Sequence, residues 1–98
     1  MINIEKNGQI IRTSRNLRGL RDYARVSPVA RVELTPQGVC NGRLRVLYRD
    51  GASTSANFAS FHIMVDFVRN RRSWRGAEIV NYGEDVGYLT KPGIIAGQ

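Results

Sequence analysis

Arg43-Leu44-Arg45-Val46-Leu47-Tyr48-Arg49, followed by Asp50-Gly51, is a strand pattern closed by a turn signal. Leu44, Val46 and Tyr48 alternate with Arg43, Arg45, Leu47 and Arg49, the period of two that buries one face of a strand and exposes the other. Asp-Gly supplies the backbone freedom that tight hairpin turns need, so the chain is expected to reverse into a weaker strand over 52–58. Upstream, residues 29–34 alternate in the same way, with Ala30, Val32 and Leu34 on one side and Arg31 and Glu33 on the other. A loop over 35–42 joins the two runs. Together the three runs predict an antiparallel meander.

Helical patterns flank it. Ser60 stands where a helix N-cap belongs, and Phe61, Met64, Val65 and Val68 follow at the i, i+3, i+4, i+7 spacing of a core-facing stripe that Ile63 and Phe67 widen. The pattern ends near Gly76, after Arg69-Asn70-Arg71-Arg72-Ser73-Trp74-Arg75. Ahead of the meander, Thr13 or Ser14 is placed to cap a helix running to Val26, with Leu17, Leu20 and Ala24 on its inner side and Ser27-Pro28 as its stop. Ile2–Glu5 and Gln9–Arg12 surround Asn7-Gly8, the favoured pair of a type I′ hairpin turn. After Gly76, residues 77–82 and 86–90 read as a last pair of strands around Gly83-Glu84-Asp85, and Pro92, Gly93 and Gly97 mark 91–98 as a loose tail. The expectation is one α+β domain over 1–98, with its core at about 9–90: an antiparallel sheet of N-terminal hairpin, meander and C-terminal strands, with two helices packed on one face.

The chain has 98 residues, of which 42% are apolar, so a simple core is within reach and a disordered state is not expected. Cys40 is the single cysteine, which rules out an intramolecular disulfide, and with His62 the single histidine there is no cluster from which to build a zinc site. No run of apolar residues is long enough to span a membrane, and the start MINIEKNGQ lacks the pattern of a secretion signal. A cytoplasmic protein is expected.

Charge is the most informative remaining feature. Thirteen of the fifteen cationic side chains are arginine, and all thirteen fall between Arg12 and Arg75. That span opposes them with Asp22, Glu33, Asp50 and Asp66, a net of +9, whereas 76–98 carries a net of −2. Base composition of the gene can favour arginine over lysine, but it does not place the arginines in one region. The guanidinium fork matches phosphate and carboxylate geometry, so an anionic partner is expected.

Three clusters result. Arg15, Arg18 and Arg25, with Arg12 and Arg21 beside them, lie along the outer face expected for the first helix. Arg69, Arg71, Arg72 and Arg75 surround Trp74, whose ring either stacks on a base or closes the core beneath the helix end. Arg31, Arg43, Arg45 and Arg49 occupy the open face of the meander, with Glu33 as counter-charge.

Catalytic chemistry finds no constellation: His62 has only Asp66 near it by spacing, Cys40 has no activating base, and no phosphate loop or dinucleotide fingerprint occurs. No enzyme activity, cofactor or metal is expected.

The order helix, three strands, helix over roughly 13–73 resembles the topology of double-stranded RNA-binding domains. That family's lysine cluster at a helix start and its Gly-Pro loop have no counterpart in Ser60-Phe61-His62 or in Thr35–Gly42, so the resemblance implies topology and carries over no binding residues. With its flanking strands the chain also approaches a ferredoxin-like order, without the aromatic motifs of RNA-recognition sheets.

The function expected is a small non-enzymatic binding module for RNA or DNA. The alternative is a stoichiometric inhibitor that docks on an acidic protein or ribonucleoprotein surface, similar in size and arginine-rich character to phage-encoded anti-defence proteins such as anti-CRISPRs. Homo-oligomers are a third expectation, through Leu47, Ile94-Ile95 or a hairpin edge.

Overall fold

The elements follow in the order β1 (Ile2–Lys6), β2 (Gln9–Ser14), α1 (Arg18–Val26), β3 (Val29–Gln37), β4 (Asn41–Tyr48), β5 (Ser53–Phe58), α2 (Phe61–Arg69) and β6 (Glu78–Asn81). This computed structural model describes residues 1–83, so the strand expected over 86–90 and the tail over 91–98 lie outside the described residues.

The hairpin and meander form as the alternation predicts. Asn7 and Gly8 both have positive φ, at 55° and 80°, as a type I′ turn requires. In the meander Val32 pairs with Val46 and Val46 with Thr54, and the intervening positions place Glu33, Arg45 and Ser55 in one row on the other face. β3 runs on through Pro36 to Gln37, which shortens the expected loop to Gly38-Val39-Cys40. A register shift between Val29 and Arg31 turns Ala30 outward, so Val29, rather than Ala30, joins Val32 and Leu34 in the core.

Two expectations are corrected. Thr13 and Ser14 do not cap α1: they extend β2, where they pair with Asn3 and Ile2, and Thr13 donates a hydrogen bond to Asn3. The helix begins only at Arg18, its first turn held by the Asn16 carboxamide accepting from Arg18 N–H. The sheet is also mixed rather than wholly antiparallel. Its order is β2-β1-β5-β4-β3-β6, and β6 lies parallel to β3.

That order fixes where everything else goes. β2, β3, β5 and β6 run one way, and both helices return the other way, so α1 and α2 point in the same direction. The β2-α1-β3 crossover straddles three strands and β5-α2-β6 straddles two, which separates this sheet from the single-strand split of a ferredoxin-like fold. Both helices end at the edge of the sheet marked by Asp50-Gly51 and both begin at the edge marked by Cys40, whose carbonyl accepts from Phe61 N–H.

One core lies between the helices and one face of the sheet. Leu20 and Tyr23 from α1 and Phe61, Met64 and Val68 from α2 meet Ile2, Ile4, Val32, Leu34, Leu44, Val46 and Tyr48. The N-terminal hairpin is thus part of the core from Ile2 onward. Full burial of each large side chain contributes about 1.5–3 kcal/mol. Ser60 caps α2 as its sequence predicts, its hydroxyl accepting from Ile63 N–H. At the Asp50 edge, the Asp50 carboxylate accepts from Tyr23 O–H at 2.5 Å and from Ala52 N–H at 2.9 Å, while Asp50 N–H donates to Ser27 Oγ. This tie joins the last turn of α1 to the β4–β5 turn.

Candidate anion-binding surface

The sheet's open face is electrically balanced. Arg31 donates to Glu33 at 2.8 Å, to Glu78 at 2.9 Å and to the Tyr82 hydroxyl, and Glu33 also lies 3.8 Å from Arg45. Those hydrogen bonds, the one to Tyr82 foremost, hold the Arg31 guanidinium even more firmly protonated than usual. Glu78, brought in by the parallel pairing of β6 with β3, is a counter-charge the sequence reading had not placed. Arg31, Arg43 and Arg45 there face Glu5, Glu33 and Glu78, so this face is not the basic plane expected.

The helical side is different. Arg12, Arg15, Arg18, Arg21, Arg25, Arg69, Arg71, Arg72 and Arg75 lie on the helices or the segments flanking them, where only Asp22 and Asp66 are exposed as carboxylates. Among the described residues only Arg31 and Arg45 make ion pairs, which leaves eleven of the thirteen arginines without an acidic partner. The Asp50 carboxylate is in no ion pair among the described residues and accepts from Tyr23 instead. That hydrogen bond, helped by Ala52 N–H, lowers the Asp50 pKa below the ordinary carboxylate value and raises that of Tyr23.

The arginines expected on one ridge divide between the two ends of α1. Arg15 precedes the helix, in the bend after β2, and Arg18 opens its first turn, so both sit at the Cys40 edge. Arg25 is in the last turn, at the Asp50 edge. Arg18, Arg21 and Arg25 still share the outer face, opposite the buried Gly19, Leu20 and Tyr23. They span roughly 10 Å of helix axis.

α2 brings the second cluster to the same edge as Arg25. Arg69 ends the helix, and Arg71, Arg72 and Arg75 follow in the turns before β6, all exposed. Arg49, in the turn after β4, joins them at that edge. Cations at two helix C-termini also oppose the helix dipoles favourably.

Trp74 is placed differently from its basic neighbours. Its ring is 3% exposed, packs 5.6 Å from Phe67 and donates its indole N–H to the Val68 carbonyl at 2.7 Å. Of the two roles open to it in the sequence, stacking on a base or closing the core beneath the helix end, it takes the second. Arg71 lies over the Phe67 ring at 5.1 Å and Arg12 over Tyr23 at 5.3 Å, each a cation–π contact that leaves fork edges turned to solvent.

Among the described residues no group of His, Cys, Asp and Glu could hold a metal ion, and no helix is long and apolar enough to cross a membrane. Comparison with protein-family models, with curated proteins and with solved structures gives no match.

Proposed function

We propose that this protein is a binding module for nucleic acid, contacting phosphates through the arginines of its helical side. The observation that carries the reading is the asymmetry of charge between the two faces among the described residues: three arginines alongside three glutamates on the sheet, and nine arginines beside two exposed carboxylates on the helical side. Self-repulsion among unpaired guanidinium groups opposes folding, and an array of phosphates relieves it. The forks are free to make the bidentate contacts that orient a protein on a phosphate backbone.

Neutralising five or six phosphates makes log K fall with log salt at a slope of about −4 to −5. Fluorescence anisotropy against labelled nucleic acid over a salt series measures that slope. The matching variant is Arg69→Gln/Arg72→Gln/Arg75→Gln, which spares Arg71 because that side chain covers Phe67. It is expected to weaken binding roughly a hundredfold near 0.1 M salt and to flatten the slope by about 2 to 3. Affinity that ignores salt, or that the triple variant leaves unchanged, refutes the reading. Nuclease-insensitive capture of one acidic protein would instead favour docking on a protein surface.

A further inference from the structure

Among the described residues the phenylalanine, tryptophan and buried tyrosine rings are already engaged, and Tyr82, 38% exposed, is held through its hydroxyl alone. Phe61 and Trp74 are 2% and 3% exposed, and Tyr23 and Tyr48 are buried edge to face at 4.8 Å. Phe58 and Phe67 form a tilted pair at 5.5 Å, and the Tyr82 hydroxyl accepts from Arg31. Where Tyr23 and Phe67 approach the surface, Arg12 and Arg71 already lie over them. On the open sheet face, the location of the stacking platform in many single-strand binders, the strands present Arg43, Arg45, Leu47, Ser53, Ser55 and Asn57.

Single strands depend on such rings, since stacking a base on an aromatic side chain contributes about 1–3 kcal/mol per base. A flexible strand must also be ordered on binding, which stacking ordinarily offsets. A duplex needs neither contribution. Its phosphates are held in a fixed array, at about one charge per 1.7 Å of axis, and its bases are already stacked on one another. The protein's half of such an interface is equally fixed: Arg18, Arg21 and Arg25 project from one helix, and Arg69 ends another that points the same way.

Resting on the nucleic-acid reading above, we propose that the polymer is a duplex, gripped through its phosphates by the α1 ridge and the Asp50-edge cluster, with no base stacked on the protein. Recognition of this kind is by backbone position and is tolerant of sequence.

The test is fluorescence anisotropy with labelled DNA and RNA duplexes of about 20 base pairs and with their separated strands, near 0.1 M salt. Trp74 emission is followed in parallel. Expected is binding of at least one duplex that is tighter than that of its own strands by about tenfold or more, with a slope near −0.9 per phosphate contacted. Trp74 emission should stay unchanged at saturation. Strands that bind as tightly as both duplexes, or that quench Trp74, overturn the duplex inference and leave the nucleic-acid reading standing. Binding to none of the four probes overturns both.

Discussion

Tyr23→Phe tests the tie at the Asp50 edge through its dependence on pH. The substitution removes one hydroxyl, which donates to the Asp50 carboxylate at 2.5 Å across 27 residues of chain. It keeps the ring, its edge-to-face contact with Tyr48 at 4.8 Å and its contact with Arg12. A hydrogen bond to a charged group contributes about 1.5–3 kcal/mol, and the part-buried setting favours the lower end, so about 1.5 kcal/mol is expected near neutral pH. For a domain of this size that lowers the melting temperature by about 6–12 °C. Because the folded carboxyl titrates below its unfolded value, Asp50 contributes stability that is fully present above the unfolded pKa and is lost as pH falls through the folded one. Protonation leaves a neutral hydrogen bond of about 0.5–1 kcal/mol, so wild type and variant should converge as the solution is acidified. Urea titrations monitored by Trp74 fluorescence, from neutral pH down to about 2, provide the comparison. On an Asp50→Asn background, Tyr23→Phe should have the small effect at every pH. A difference that stays constant with pH, or that falls below about 0.5 kcal/mol at neutrality, shows that the tie does not hold α1 to the β4–β5 turn.

The core offers two further expectations. Thr54 is 5% exposed and its hydroxyl has no partner among the described residues, so Thr54→Val, which keeps the branched shape, should raise the urea midpoint by the equivalent of about 1 kcal/mol; a lower midpoint would reveal a hydrogen bond to that hydroxyl. A Cβ at Gly42 would stand 2.7 Å from Met64 Cε and 3.3 Å from the Phe61 Cα. The methionine tip can yield and the helix backbone cannot, so Gly42→Ala should lose about 1–3 kcal/mol in the same assay, and an unchanged midpoint would mean that α2 does not press on β4.

Local periodicity made the meander, the hairpin turn and α2 legible in the sequence, since each element's own side chains carry its pattern. The start of α1 was misread because Thr13 and Ser14 suit both a helix cap and a strand. The strand prevailed once Ile2 and Asn3 supplied partners across the hairpin, a contact that no window centred on residue 14 contains. The parallel pairing of Arg31 with Glu78 joins positions 47 residues apart and leaves no local trace, so both the mixed sheet and the neutralised open face were out of reach. Among the arginines, types and positions along the chain were readable. What they face was not: whether an arginine lies over a ring, bridges two glutamates or stands alone depends on which element the fold lays beside it. Trp74 shows the same limit, as an aromatic within a basic run whose burial is set by Phe67 and the Val68 carbonyl.

The parallel attachment of β6 also bears on the order in which the chain assembles. β3, β4, β5 and α2 are consecutive, so their contacts close short loops and can form early, while β6 and the N-terminal hairpin add to opposite edges only after long stretches of chain have been fixed. During synthesis the meander and the start of α2 are complete well before Glu78 leaves the ribosome. Until β6 arrives, the outer side of Leu34, together with Val65 and Val68, which line one cleft with Ile79 in the finished fold, remains open to water. The strand that completes the described sheet is therefore also the one that removes an adhesive apolar strip from a partly made protein.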